Sequence, residues 1–313
     1  MITVPPLKTF DPETFGRVGL VIGGESAERE VSLDGGRAVA AALDRKGVDV
    51  TVFDGALALF EAIGEGRIDR VFNLIHGPGG EDGSLQGALQ LMKVPVTGSD
   101  LPSSALTMDK VRSKWVWERN GLLTPPFEPF GRAEDDFDRA LDTLEMPFFV
   151  KPNGLGSSIG ISKVRSAKEL AAAVELARRY SDTVLVEQEI RGREFFAGII
   201  GRLPLPLIRI ETPHDFYDYE AKYTADDTRY FCPCGLDEAQ ERVFQRRSLR
   251  AFDLLGASGW GRVDFLLDDD GQAWFLEVNT TPGMTGHSLV PQAAAQVGID
   301  FDDLVWRILE TSL

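Results

Sequence analysis

Cysteine is scarce in this chain. There are two, Cys232 and Cys234, separated by a single proline in FCPCG. That spacing is too short for an easy disulfide, and no other cysteine is present to complete a metal site. Both are expected to be inert thiols in a reducing cytoplasm. Long apolar runs are also missing: none reaches the roughly 18 residues that a membrane span needs. The opening MITVPPLKTFDPETFG lacks the basic-then-apolar order of a secretory signal and reads as a short extension, residues 1–16, ahead of the first strand. There is no basic excess. A net charge of −16 leaves little to displace the counterions of a nucleic acid. Neither nucleic acid nor membrane is therefore expected as a partner, whereas a small anion responds to local charge rather than to the total. Internal repeats and low-complexity linkers are absent too.

What is present suits a soluble protein of two or three cored units: 313 residues, 43% apolar and 26% charged. In a first unit, 17–100, RVGLVIGG (17–24), VDVTVFD (48–54) and RVFNLIHG (70–77) read as buried strands. GRAVAAALDRKG between the first two reads as a helix closed by Gly47. Alternating strand and helix predict a parallel α/β sheet, with ligands gathering at the carboxyl ends of its strands, Gly23-Gly24-Glu25 and His76-Gly77. A second unit, 101–187, holds MDKVRSKWVWERNG, the strand MPFFVK and a helix whose Ser166 and Glu169 have capping-box spacing. A third, 188–313, has strands, a polar loop over 212–235, a helix near 237–255 and a strand pair over 262–279.

Two stretches carry chemistry. KPNGLGSSIG (151–160) lacks the Gly-Lys-Ser/Thr ending of a Walker loop. The dinucleotide spacing fails both here and at Gly23-Gly24. Strands FFVK and GISKV flank it, so it reads as the tip of a β-hairpin. Its glycines let backbone N–H groups approach an anion, Ser157 and Ser158 add hydroxyls, and Lys151 adds charge. A plain turn with a basic flank is the alternative. The second stretch is GRVDFLLDDDGQAWFLEVN (261–279). A two-residue Asp270-Gly271 turn sets Asp269 opposite Gln272, Asp264 opposite Glu277 and Arg262 opposite Asn279. Arg262, Asp264, Glu277 and Asn279 then share one face, with Val263, Phe265, Leu267, Trp274, Leu276 and Val278 on the core face. Two carboxylates about 4 Å apart repel by about 1 kcal/mol in water and about 4 kcal/mol near a protein surface. Arg262 offsets part of this and a divalent cation offsets it better. Such hard oxygen ligands suit Mg²⁺, with water and phosphate completing its shell. A solvated polar face is the competing reading. Taken together, the two stretches point to ATP phosphates held between a hairpin lid and a metal platform.

With these pieces in place the sequence resembles the ATP-grasp superfamily and, within it, the D-alanine:D-alanine ligases. The resemblance runs from residue 17 to the end, through GGESAEREVSL (23–33), HGPGGEDGSLQG (76–87), TGSDLPSSALTMDKVRSK (97–114), KPNGLGSSIG, FYDYEAKYT (216–224), GWGRVDFLLDDDG (259–271) and FLEVNTTPGMTGHSLVP (275–291). Val96, Gly35 and Cys234 depart from the pattern. The resemblance implies an α/β amino-terminal domain and α+β central and carboxyl-terminal domains that sandwich ATP. It implies ATP-dependent joining of two D-alanines through a D-alanyl phosphate, for peptidoglycan precursors, with two Mg²⁺ ions for which Mn²⁺ can substitute, in a cytoplasmic homodimer.

By the same resemblance Lys110 and Lys151 neutralise phosphates, with Ser157 and Ser158 beside them. Glu187, Gln188 and Ile190 line the adenine pocket and Glu194 accepts the ribose hydroxyls. Asp264, Glu277 and Asn279 hold metal. Arg262 and the Gly283 N–H stabilise anionic transition states. Glu28 holds the ammonium of the first D-alanine, His76 lies beside that substrate, and Ser288 binds the carboxylate of the second; His287 is left as structural. The 212–235 loop is the lid, where Lys222 reaches the phosphates and Tyr223 hydrogen-bonds toward Ser157 and Glu28. Three rivals stand beside the ligase: a kinase that stops at phosphoryl transfer, a non-enzymatic ATP-binding regulator, and a D-alanine:D-lactate ligase.

Overall fold

The computed structural model describes residues 2–134, 136–156, 158–213 and 228–313. Strands β1 (Val18–Ile22), β2 (Val50–Asp54) and β3 (Arg70–Asn73) form a parallel sheet in the order β2-β1-β3. Helix α1 (Arg29–Arg45) covers one face. Helices α2 (Ala56–Gly64) and α3 (Ser84–Leu91) close a second small core with Val21, Phe53 and Val71. The expected helix before Gly47 thus begins at Arg29 rather than Gly36. Gly35 and Gly36 hid its first half, being poor helix formers. They are there for close packing: a Cβ on Gly36 would fall 2.5 Å from Ile22, and one on Gly35 3.4 Å from the Met284 backbone.

Helices α4 (Leu101–Met108) and α5 (Lys110–Arg119) follow. The central sheet consists of β4 (Phe127–Phe130), β5 (Phe148–Pro152), β6 (Ser162–Val164) and β7 (Val184–Gln188), ordered β4-β7-β5-β6 and antiparallel throughout. Helices α6 (Asp138–Thr143) and α7 (Ala167–Arg178) pack on it. At the start of α7 the capping box is only half made. Glu169 accepts from the Arg165 N–H at 2.8 Å and the Ser166 hydroxyl at 3.0 Å, while Ser166 caps no backbone N–H.

The third sheet holds β8 (Arg193–Ile200), β9 (Leu203–Pro204), β10 (Ile208–Glu211), β11 (Arg229–Phe231), β12 (Trp260–Leu267) and β13 (Ala273–Asn279). Helix α8 (Glu238–Leu254) covers it, and α9 (Leu289–Ala295) and α10 (Phe301–Leu309) end the chain. Helix α5 packs here rather than on the central sheet with which the 101–187 grouping placed it. Trp117 donates to the Ala251 carbonyl at 3.0 Å and shares a core with Phe195, Phe265 and Phe275. Burial holds the thiols in their neutral form, pushing Cys232 up to about 12.

The amino-terminal extension is strapped down. The Glu310 carboxylate, 4% exposed, accepts from the Lys8 and Thr9 N–H groups at 2.6 and 2.9 Å and from the Trp306 indole at 3.2 Å. Phe15 lies edge-on to Trp306, and Arg70 reaches both the Phe15 carbonyl and Ser312. Arg45–Asp302 and Lys46–Asp303 join α1 to α10. One hydrophobic core therefore runs from β1 through α10. A Glu310→Ala change would leave the part-buried Lys8 and Thr9 N–H groups without this acceptor, each worth about 1 kcal/mol, while the Trp306 indole keeps the Thr9 carbonyl. It should lower stability in urea unfolding by roughly 2 kcal/mol, whereas an unchanged midpoint would mean the strap contributes nothing.

Candidate active site

The loop between β5 and β6 sits over α5. Asn153 Oδ1 accepts from the Val111 N–H at 2.9 Å, and Lys110 Nζ donates to the Leu155 carbonyl at 2.6 Å. Ser158 is left-handed (φ 57°), a region sparsely populated by non-glycine residues. A Cβ on Gly156 would stand 3.0 Å from Glu28 Oε2. Glycine at this position therefore lets the loop approach a carboxylate carried by the first sheet's helix. Ser157, Lys222 and Tyr223 lie outside the described residues.

In the β12–β13 hairpin Arg262 pairs with Asn279 and Asp264 with Glu277, as expected, but by a different route. Asp268 pairs with Gln272 around a longer turn than Asp270-Gly271 alone. A bulge at Leu276 then restores the register before Glu277. The core face is correspondingly corrected: Ala273, Phe275 and Val278 are buried, whereas Leu276 turns to the cleft beside Leu266. Trp274 is half-buried and donates to Asp268 at 2.7 Å.

Between these hairpins lies a cavity of about 520 Å³. Lys110, Lys151, Ser158, Glu187, Gln188, Ile190, Glu194, Asp264 and Glu277 line it, with Ile210, Glu211 and Thr212 at its edge. The opposed charges expected to attract metal are neutralised by protein. Arg262 grips Asp264 with both arms at 2.7 Å, and Lys110 lies 3.1 Å from Glu277. Glu187, placed beside adenine by resemblance, directs its carboxylate to Lys151 and to Lys114, the latter at 2.6 Å. Burial alone would raise its pKa; the two ammonium groups outweigh this and hold it below the usual range. The Gln188 side chain accepts from the Glu145 N–H at 3.0 Å.

The inner end of the cleft joins three segments. Glu28 precedes α1 and makes no side-chain cap hydrogen bond there. His76 is 4% exposed, and burial lowers its pKa although the Glu28 carboxylate opposes this. A Cβ on Gly283 would lie 2.9 Å from Ser288 Oγ, which accepts from the Thr285 N–H at 2.9 Å.

Two participants escaped the sequence reading. Glu81 is buried, accepting from the Gly77 N–H at 2.6 Å and the Thr281 N–H at 3.1 Å; burial first, then Glu28, push it up to about 8. The Asn279 amide is satisfied with its nitrogen 2.9 Å from Glu81 and its oxygen 3.1 Å from Arg262. Lys114 is the other; its four-residue spacing from Lys110 puts both on one face of α5 and was the available signal.

Residues 116–310 match the family described as D-ala D-ala ligase C-terminus, and residues 55–99 match D-ala D-ala ligase N-terminus. The D-alanine–D-alanine ligase of Methylococcus capsulatus is 53% identical over 298 residues, covering 95% of this chain and 96% of that protein. This chain belongs to the D-alanine–D-alanine ligase family. The family member from Dechloromonas aromatica is 50% identical over 297 residues, covering 95% of this chain and 98% of the other. Among solved structures, the VanG D-Ala:D-Ser ligase of Enterococcus faecalis superimposes with a TM-score of 0.84 at 30% identity, covering 95% of this chain and 99% of that one. The Bacillus anthracis D-alanine–D-alanine ligase complexed with ATP gives 0.83 at 32% identity, covering 95% and 97%. Such agreement identifies the three sheets as an ATP-grasp fold.

His76 supplies a pH test. Its folded pKa lies below its ordinary value of 6.5, so the unfolded chain binds the proton more readily. The stability it contributes is present above 6.5 and is lost as pH falls from there toward the folded value. A His76→Gln variant should therefore lose less stability than the parent between pH 6.5 and about pH 5 in denaturant unfolding. Parallel losses would contradict a neutral buried imidazole.

Proposed function

We propose that the protein joins two D-alanines to D-alanyl-D-alanine at the expense of ATP, through a D-alanyl phosphate. The observation that most supports this reading is the convergence of Glu28, the 151–160 loop and the β12–β13 carboxylates on one cleft. Glu28 receives the ammonium of the first D-alanine, beside a neutral His76. The carboxylate oxygen of that substrate attacks the γ-phosphorus of ATP, and ADP leaves. Lys110 and Lys151 turn from their carboxylates toward the phosphates. The neutral amine of the second D-alanine, whose carboxylate is held by Ser288, attacks the acyl carbon. Negative charge then moves to the carbonyl oxygen, where Arg262 and the Gly283 N–H stabilise it. Collapse expels phosphate, the attacking nitrogen gives up one proton to that phosphate or to solvent, and the peptide bond remains.

Asp264, Glu277 and the Asn279 amide oxygen are hard donors on facing strands and fit Mg²⁺ or Mn²⁺. Among the described residues no group of three or more His, Cys, Asp or Glu side chains could hold a metal by itself. Phosphate oxygens would complete the shell, and the metal would neutralise charge on the transferred phosphoryl group. On the resemblance alone the assignment extends to Ser157, Lys222 and Tyr223, to adenine against Gln188 and Ile190, to ribose at Glu194, and to a cytoplasmic homodimer. No helix among the described residues is long and apolar enough to cross a membrane.

An ATP-dependent phosphate-release screen over D- and L-amino acids, with mass detection, tests the reaction. Phosphate should appear with D-alanine, one equivalent per dipeptide, and less with D-serine or D-lactate as second substrate. Phosphate without dipeptide would favour a kinase or ATPase. Glu277→Gln should lower turnover by at least about a hundredfold while the fold persists; near-normal turnover at low Mg²⁺ would remove Glu277 from the metal site.

A further inference from the structure

Lys114 has no role in the reaction as drawn, yet among the described residues it is the most deeply buried ammonium of the cleft. Its side chain is 1% exposed, against 15% for Lys151 and 11% for Lys110. An isolated ammonium at that depth would be strongly disfavoured and persists only if paired. Its Nζ lies 2.6 Å from Glu187 Oε2 and donates at 2.6 Å to Thr124 Oγ1. Thr124 in turn donates to the Phe275 carbonyl on β13 at 2.8 Å, so Lys114 is anchored to the third sheet. Lys151 meets the other oxygen of the same carboxylate, from the central sheet. One buried carboxylate thus faces two lysines of the cavity lining, one enclosed and anchored through Thr124 and one more exposed.

We propose that Lys114 is a positioning residue: it keeps Glu187 neutralised, so that Lys151 can leave Glu187 for the phosphates of the nucleotide. The inference rests on the nucleotide-site reading above. With Lys114 in place, departure of Lys151 leaves Glu187 paired. Without it, Lys151 becomes the only counter-charge of that buried carboxylate among the described residues, and moving it away would strand the charge. Glu187 in turn holds Lys151 in the cleft before nucleotide arrives. The asymmetry of burial is what divides the work: Lys114, 1% exposed and anchored through Thr124, is assigned the fixed pairing, and Lys151, 15% exposed, the turn toward phosphate.

The test is calorimetric binding of Mg²⁺–AMP-PNP and of adenosine to the full chain without D-alanine, so the outcome of the dipeptide assay does not enter it. Lys114→Met should weaken AMP-PNP binding by at least about tenfold, because the cost of stranding a buried charge is charged to the phosphate contact. Adenosine, which lacks phosphate, should bind as before. Adding Glu187→Gln removes the carboxylate that traps Lys151 and should raise AMP-PNP binding to the level of Glu187→Gln alone. A double variant as weak as Lys114→Met would overturn the proposal and give Lys114 a direct phosphate contact. Equal weakening of adenosine would overturn it in favour of a distorted pocket, as would unchanged AMP-PNP binding in Lys114→Met. Should Lys114→Met fail to fold, Glu187→Gln is compared with the double variant. Equal AMP-PNP affinities are expected, since Lys114 is dispensable once residue 187 is neutral, and a tenfold gap refutes the idea.

Discussion

A charge withdrawn from water must be opposed, and the cleft is organised around that requirement. Asp264 and Glu277 face each other across two strands and would repel if left alone. Arg262 and Lys110 oppose them, and Lys114 and Lys151 oppose Glu187. Asp264, Glu277, Glu187 and the three lysines sit on the wall of the same cavity, with Arg262 behind Asp264. Of these cations, Lys110 and Lys151 are the ones a polyphosphate would recruit. Metal would then take over Glu277 while Lys114 keeps Glu187 paired, so binding exchanges ion pairs rather than exposing bare charges.

Such an exchange needs a frame that does not move with it. The single core from β1 to α10, closed by the Glu310 strap and the α1–α10 ion pairs, joins the first and third sheets. Glu28, His76, Gly283 and Ser288 all hang from that frame, while the loop bearing Gly156 and Ser158 belongs to the central sheet, which has its own core. The inner end of the cleft is therefore built on the continuous core, and the β5–β6 loop is brought to it from a separate one.

Much of this was legible in residues. Alternating faces placed Arg262, Asp264, Glu277 and Asn279 together, and short β-rich runs gave the parallel sheet. The hairpin came out right at its functional end because two departures compensate: a longer turn shifts the register and the Leu276 bulge shifts it back. A bulge leaves no mark in an alternating pattern when the extra residue is itself apolar. The start of α1 was hidden by two glycines whose purpose, contact with Ile22 and Met284, is tertiary. Glu81 was invisible for the same reason, and Lys114 offered only its four-residue spacing from Lys110. Charged residues are ordinarily solvated, and only the folded chain reveals that these two are enclosed. The grouping of α5 with the central sheet failed because its apolar face carries no label saying which sheet it will meet.

The central claim is that phosphate passes from ATP to a substrate carboxylate before the peptide bond forms. D-Alanine labelled with ¹⁸O in both carboxylate oxygens tests it directly, by mass analysis of the released phosphate. The account predicts one ¹⁸O atom in each phosphate, carried by the oxygen that bridged carbon and phosphorus, with the other retained in the peptide carbonyl. Phosphate free of ¹⁸O, formed together with dipeptide, would contradict it.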